Sequence, residues 1–160
     1  MVHGGAIIDV LQRLGVTHVV WIPDSEVGQW DAALAVAESL RLIRATREGE
    51  AIAIAGGLCL GGCRPLVVIQ CTGLFEAGDA LRNMVHDLKL PLVFLIGVRS
   101  ARMAKAGQSS DTCPVFTEPI LDAWQLPYVW LPDPFGPADL ETALERYYKA
   151  RHAGAVLIPE

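Results

Sequence analysis

The residue with the clearest potential for chemistry is Glu48, near the start of the segment TREGEAIAIAGG at 46–57. After it the segment is small and apolar, built mainly from Ala, Ile and Gly. A carboxylate that is partly shielded from water can exchange a proton near neutral pH, as general acid–base chemistry requires. A purely structural role is the alternative, because the helix dipole favours an acidic residue in the first turn.

Other signatures of catalysis or metal binding are absent from the sequence. It contains no GxGxxG, GxxxxGK[ST], GxSxG or HExxH motif, and AGGLCLGG lies within or after a helix, where close packing explains its glycines. Structural or solvent-facing roles are favoured for the scattered histidines, His3, His18, His86 and His152. The cysteines lack zinc or disulfide spacing and are predicted to be buried, reduced thiols: Cys59, Cys63, Cys71 and Cys113. We therefore expect no metal held by this chain alone.

Composition narrows the class of protein. The chain has 160 residues, 52% of them hydrophobic and 19% charged, with a net charge of -5. This predicts one ordered domain, and the apolar excess hints at a surface buried against another subunit. The acidic balance argues against nucleic acid, and LPLVFLIGV (90–98) is too short to span a membrane. Without a signal-peptide pattern at the N-terminus, we expect a cytoplasmic protein.

Helices and strands are predicted to alternate along the chain. Ile7, Val10, Leu11 and Leu14 share one face of a helix that Gly15 closes. Further helices are expected over 26–39, 48–63, 76–88, 117–125 and 137–152. Strands are expected over 18–22, 40–43, 65–70, 91–98, 128–131 and 155–158. This order predicts an α/β fold in three layers, α/β/α, with a mostly parallel six-stranded sheet.

Two connections are expected to lie at the carboxyl ends of strands, where ligands gather in open α/β sheets. A turn is predicted at Thr72-Gly73. Residues 99–113, RSARMAKAGQSSDTC, lack apolar periodicity and are predicted to form a loop. Such a long connection is often a lid or a binding loop, although a surface loop without a function is an equal alternative.

The stretch from Arg47 to Gly57 resembles the signature of the thiamine diphosphate-dependent decarboxylases, in their pyrimidine-binding (PYR) domain. Glu48, Ala51 and Gly57 match its spacing, whereas Glu50 does not. LGVTHVVWIPDSE, RPLVVIQCTGLFEAGDALRN and LPLVFLIGVRS resemble further segments of that domain. The resemblance covers the whole chain as a single PYR-type domain, 1–160. Its pattern is most similar to the sulfopyruvate decarboxylase alpha subunit and the N-terminal part of phosphonopyruvate decarboxylase.

The resemblance implies roles for particular residues. The family glutamate, here Glu48, hydrogen-bonds N1′ of the cofactor's aminopyrimidine and so promotes loss of the thiazolium C2 proton. The cofactor can then attack an α-keto acid, which loses carbon dioxide. Cofactor contacts are expected from Gln70, Thr72, Gly73 and Leu74, although Cys71 stands where many relatives have Asn. Substrate contacts are expected from Pro23, Asp24, Ser25, Arg99 and Arg102, with Lys105 as a further cation; turn-forming and solvated roles are the alternatives.

The family's diphosphate-binding motif is missing from the sequence. Relatives hold Mg²⁺ through GDG followed by Asn in a second (PP) domain, whereas GDAL (78–81) has Ala in place of the second Gly. The resemblance therefore implies a beta subunit that supplies the PP domain and Mg²⁺, in a hetero-oligomer with the active centre at the interface.

The resulting expectation is an alpha subunit of a two-component thiamine diphosphate-dependent decarboxylase. Its substrate would be a short anionic 2-oxo acid such as sulfopyruvate or phosphonopyruvate. A carboligase subunit and a non-catalytic regulatory or scaffolding domain are the alternatives. A flavodoxin-like ligand binder is a third, but IPDSE (22–26) offers Pro and acids in place of a glycine-rich phosphate turn.

Overall fold

A computed structural model describes residues 2–23 and 27–160 of the chain. The strands are β1 (His18–Trp21), β2 (Arg41–Arg44), β3 (Pro65–Gln70), β4 (Val93–Val98), β5 (Tyr128–Trp130) and β6 (Gly154–Pro159). They form one sheet in the order β2-β1-β3-β4-β6-β5, and every pairing is parallel. The predicted fold class is confirmed, with an entirely parallel sheet.

Helices connect the strands. The α-helices are α1 (Gly4–Arg13), α2 (Asp31–Ala35), α3 (Glu48–Leu60), α4 (Cys71–Glu76), α5 (Gly78–Leu81), α6 (Ala101–Lys105), α7 (Cys113–Ala123) and α8 (Pro137–Ala150). A 3₁₀-helix precedes α2 at Val27–Trp30, and a π-helical segment follows α5 at Arg82–Asp87.

The sheet separates two hydrophobic clusters, because successive residues of a strand point to opposite faces. In β4, Val93 and Leu95 belong to the cluster that includes α1 and α8, while Phe94 and Ile96 belong to the cluster that includes α3 and α7. This burial on both faces explains why the central strands are continuous apolar runs rather than alternating ones.

Three predicted segments differ from the structure. The helix expected over 26–39 is interrupted, since residues 36–40 turn the chain back and bury Leu40, placing Arg41 beside His18. The helix expected over 76–88 is divided into α4, α5 and the π-helical segment. Residues 99–113 are not a continuous loop, because the helix-favouring residues ARMAK form α6, and α7 begins at Cys113 rather than at 117.

The turn predicted at Thr72-Gly73 is wrong. Gln70 is extended, with φ -93° and ψ 161°, and α4 begins directly after it, so both residues are helical. Glycine often forms turns, but here Gly73 allows the Glu48 side chain to pack closely against α4. The cysteines are free, as predicted; Cys71 and Cys113 are buried, whereas Cys59 and Cys63 are only partly buried.

Candidate active site at the carboxyl edge of the sheet

Glu48 is positioned by the junction between β2 and α3. Arg47 is extended, with φ -143° and ψ 148°, and Glu48 is the first residue of the helix. Since β2 runs parallel to β1 and β3, this junction lies at the carboxyl edge of the sheet. Glu48 is partly buried there, as expected for a carboxylate that is shielded from water on one side only.

The Glu48 side chain packs directly against the backbone of α4 at Gly73. A Cβ atom added to Gly73 would lie 2.0 Å from Glu48 Cγ and 2.3 Å from Glu48 Oε1. Only a residue without a side chain allows this approach. The contact brings the acid after β2 next to the helix that follows β3, so the two predicted segments meet in space.

The neighbouring acids have structural partners. Glu50 Oε2 accepts hydrogen bonds of 2.9 Å from both the backbone nitrogen and Oγ1 of Thr46, and these bonds lower the pKa of Glu50. Glu76 forms an ion pair with Arg47. By contrast, Glu48 makes no hydrogen bond or ion pair within the part of the chain that the structure describes. Its carboxylate is therefore the one in this group that is available to a ligand.

The other predicted cofactor contacts surround Gly73. Gln70 Nε2 donates to Glu160 Oε2 at 3.2 Å, and Thr72 Oγ1 donates to Gln70 Oε1 at 3.3 Å. Both residues are partly buried, so their polar groups border the same edge as Glu48. The Leu74 side chain is fully buried in the core, which leaves packing as the only contribution of that side chain.

A second carboxylate, Glu160, lies at this edge and was missed from the sequence. Its side chain covers Gly97 of β4, where an added Cβ would lie 2.0 Å from Glu160 Oε1. A lone glycine in the bulky run VFLIGV was the available signal, because an isolated Gly inside a strand often marks a close approach. Glu160 itself had no recognisable motif.

The predicted substrate residues are more dispersed. Asp24 and Ser25 lie outside the described residues, and Pro23 is exposed just after β1. Arg102 Nε donates to Asp133 Oδ2 at 3.0 Å, which directs it toward the β5 side of the sheet. Arg99 follows β4, the strand next to β3, and is half exposed.

Asp111, a further functional candidate that was not predicted, links the two ends of residues 99–113 by hydrogen bonds. Its Oδ2 accepts from Arg99 Nε at 2.9 Å and from Ser100 Oγ at 3.0 Å, while Oδ1 accepts from the Cys113 backbone nitrogen at 2.9 Å. The hydrogen bond from the Cys113 backbone and the Arg99 guanidinium hold the pKa of Asp111 well below its usual range. The spacing of an acid two residues before a helix start could have revealed this anchor.

Within residues 2–23 and 27–160, no three His, Cys, Asp or Glu side chains are grouped so that they could hold a metal ion. Over the same residues, no helix is both long and apolar enough to cross a membrane.

Residues 1–117 match the family model described as thiamine pyrophosphate enzyme, N-terminal TPP binding domain. The chain belongs to this family. Thiamine pyrophosphate is the same compound as thiamine diphosphate, and the resemblance inferred from the sequence is confirmed. The family assignment places Glu48 in a cofactor-binding domain.

Two curated relatives illustrate the similarity. A phosphonopyruvate decarboxylase of Streptomyces viridochromogenes is 26% identical over 133 residues, which cover 83% of this chain and 34% of the relative. A sulfopyruvate decarboxylase of Methanosarcina acetivorans is 28% identical over 93 residues, covering 58% of this chain and 24% of the relative. The aligned region is thus about a third or less of these relatives.

Solved structures support the fold. Benzoylformate decarboxylase from Polynucleobacter necessarius superposes with a TM-score of 0.75 at 21% identity, over 98% of this chain and 29% of that one. A split-gene transketolase, described as an inactive beta4 tetramer, gives a TM-score of 0.65 at 16% identity, over 98% and 48%.

Proposed function

We propose that this chain is the pyrimidine-binding alpha subunit of a thiamine diphosphate-dependent 2-oxo acid decarboxylase. The observation that carries the proposal is the Glu48 carboxylate, which lies against Gly73 without a hydrogen-bond partner in the described chain. A carboxylate in this position fits a ligand nitrogen that can share a proton with it. The thiamine pyrophosphate family provides such a nitrogen in the aminopyrimidine ring.

In the proposed site, Glu48 holds and exchanges a proton with N1′ of the pyrimidine. The α4 backbone at Gly73 fixes the position of the carboxylate, while Gln70 and Thr72 would offer polar groups to the cofactor. Thiamine diphosphate supplies, when bound, the carbanion-stabilising chemistry that decarboxylation of a 2-oxo acid requires. Partial burial of Glu48 limits competing hydrogen bonds from water.

The diphosphate and Mg²⁺ are assigned to a partner. The sequence contains no GDG motif, and the described residues group no three metal ligands. We propose a beta subunit with a PP domain and a GDG…N motif, which completes the active centre in a hetero-oligomer. In this arrangement residues 1–160 form the PYR domain.

The proposed substrate is a short anionic 2-oxo acid. The names of the curated relatives, phosphonopyruvate and sulfopyruvate decarboxylase, support this class. Arg99, with Pro23, Asp24 and Ser25, remains a predicted substrate contact, and Arg102 is a weaker one because it is paired with Asp133.

The test is co-expression with a GDG-bearing partner, followed by assay of carbon dioxide release from sulfopyruvate and phosphonopyruvate. Glu48→Gln should abolish most of the activity, whereas Glu50→Gln, two residues away, should keep it, since the Glu50 carboxylate is bonded to Thr46. Calorimetry on the wild-type complex tests the scaffolding alternative, which predicts no binding of thiamine diphosphate. Analysis of the products separates decarboxylation from carboligation.

A further inference from the structure

Glu160 lies at the same edge of the sheet as Glu48, and the proposed function assigns it no role. It directly follows β6. Its backbone is held on both sides, because its nitrogen donates to the Val98 carbonyl oxygen at 3.1 Å and its carbonyl oxygen accepts from the Arg102 nitrogen at 3.0 Å. The Glu160 side chain therefore starts from ordered backbone at the edge where the predicted cofactor contacts lie.

The Glu160 carboxylate crosses β4 to reach the end of β3. In the sheet, β4 lies between β3 and β6, and Gly97 of β4 pairs with Gln70 on one side and with Ile158 on the other. An added Cβ at Gly97 would lie 2.0 Å from Glu160 Oε1 and 2.6 Å from its Cδ, so the carboxylate lies directly over this glycine. A side chain at position 97 would block the crossing.

This carboxylate imposes one orientation on the Gln70 amide. An ionised Glu160 can only accept hydrogen bonds, so the part of Gln70 that faces it must be the NH₂ group and not the carbonyl oxygen. Gln70 Nε2 accordingly donates to Glu160 Oε2 at 3.2 Å. The Gln70 carbonyl oxygen is thereby turned toward Thr72 of α4.

The orientation of Gln70 in turn determines the role of Thr72. The Thr72 hydroxyl donates its only proton to Gln70 Oε1, at 3.3 Å, and keeps its lone pairs for other donors. Both residues are partly buried, and Thr72 precedes Gly73, against which Glu48 packs. This side of the candidate site therefore offers hydrogen-bond acceptors to a ligand.

The charge of Glu160, and not its volume, sets this polarity. In Glu160→Gln the new side chain has nearly the same size and can occupy the same space over Gly97. Its amide can donate as well as accept, so it no longer forces one orientation on Gln70. When the Gln70 amide turns over, Thr72 accepts from Nε2, and the Thr72 proton becomes available to a ligand.

We propose that Glu160 is a positioning residue, which acts through Gln70 and Thr72 so that this side of the site selects a hydrogen-bond donor on the ligand. The inference rests on the proposed function, in which the ligand carries an aminopyrimidine ring, because the amino group of that ring is such a donor. An analogue with an oxygen in place of the amino group would set an acceptor against acceptors, which weakens binding.

The first measurement concerns the network itself and uses the full chain without cofactor. The side-chain NH₂ signals of Gln70 are observed by ¹H–¹⁵N NMR and assigned with Gln70→Leu, and their exchange with water is measured. Glu160→Gln should speed this exchange by at least about twofold, since a hydrogen bond to a charged acceptor is replaced by a neutral one. Exchange at the same rate in the wild type and in Glu160→Gln would overturn the assigned orientation.

The second measurement is calorimetry on the complex with the GDG-bearing partner, with two ligands. These are thiamine diphosphate and oxythiamine diphosphate, in which an oxygen replaces the amino group of the pyrimidine. The wild type should prefer thiamine diphosphate, and Glu160→Gln should reduce the ratio of the two affinities by about two- to tenfold, the usual worth of one hydrogen bond.

Glu50→Gln is the matched control, because it makes the same chemical change in a carboxylate that is bonded to Thr46. It should change the ratio by less than about twofold. Thermal melting verifies that both variants are folded.

The outcomes separate the role of Glu160 from the proposed function. A wild-type complex that binds thiamine diphosphate, with the same ratio of affinities in Glu160→Gln, would overturn the role of Glu160 and leave the proposed function intact. Equal changes of the ratio in Glu160→Gln and Glu50→Gln would also overturn that role, because they would reflect charge in general. A wild-type complex that binds neither ligand would overturn the proposed function and this selectivity together.

Discussion

The contact between Glu48 and Gly73 allows the proposed catalytic geometry to be tested without altering the glutamate. Substitution Gly73→Ala places a methyl carbon 2.0 Å from Glu48 Cγ. Nonbonded carbon atoms prefer separations of about 3.5–4.0 Å, so the carboxylate must move by roughly 1.5 Å. A displacement of about 1 Å at a reacting group can reduce the rate on the order of 100-fold.

Gly73→Ala should therefore lower kcat/KM of the reconstituted decarboxylase by about 100-fold. Stability should fall by no more than about 1–3 kcal/mol, the usual cost of overpacking, and part of this cost is offset because Ala favours the helix more than Gly does. Steady-state kinetics of the complex and thermal melting of the chain measure these two effects separately.

Gly49→Ala is the matched control. It makes the same chemical change next to Glu48, but the added Cβ would meet Ala80 Cβ at 3.7 Å and Glu76 Oε2 at 3.9 Å, which are ordinary contacts. We expect this variant to retain activity within a few-fold. Full activity of Gly73→Ala, or an equal loss in both variants, would refute the argument that Gly73 positions the carboxylate.

Two further predictions concern residues near the site. Because the pKa of Asp111 is lower in the folded than in the unfolded chain, its contribution to stability is present above the unfolded value near 4 and is lost as the pH falls below it. Asp111→Asn should therefore lower Tm at pH 7, by only slightly less at pH 3 and by much less at pH 2, because the contribution is lost progressively as the pH falls toward the strongly lowered pKa of the folded chain; an unchanged difference between pH 7 and pH 2 would contradict the assigned hydrogen bonds. Leu74→Ala should reduce the free energy of unfolding by about 2–5 kcal/mol in urea denaturation, since the side chain is fully buried. A loss below about 1 kcal/mol would show that the Leu74 side chain is not part of a tightly packed core.

The sheet could be predicted because its strands are buried on both faces. PLVVIQ and the run ending in VFLIGV are short, continuous and rich in β-branched residues, which favours central parallel strands with helices between them. Predictions for segments near the surface were less accurate. Residues 26–39 contain helix-favouring alanines, but the return to β2 requires the chain to leave the helix after Ala35.

The candidate site, like the fold, could be predicted only in part. Glu48 was found by its resemblance to a family signature, and the structure adds a reason for its choice over Glu50, which is bonded to Thr46. The role of Gly73 could not be predicted, because a sequence does not reveal which side chain will cover a glycine. Glu160 contacts Gln70, 90 residues earlier in the sequence, and only the isolated Gly97 hints at such a contact, whereas Asp111 could have been recognised from its position two residues before a helix.

The central claim is that Glu48 exchanges a proton with the cofactor's pyrimidine and thereby promotes release of the thiazolium C2 proton. The most direct measurement is the rate at which that proton exchanges for deuterium in the assembled complex, followed by NMR after acid quenching, which requires no knowledge of the substrate. Glu48→Gln should slow exchange by at least about 100-fold, as is typical when a general acid–base group is lost, while Glu50→Gln leaves it unchanged. Exchange at the wild-type rate in Glu48→Gln, with the cofactor still bound, would contradict the account.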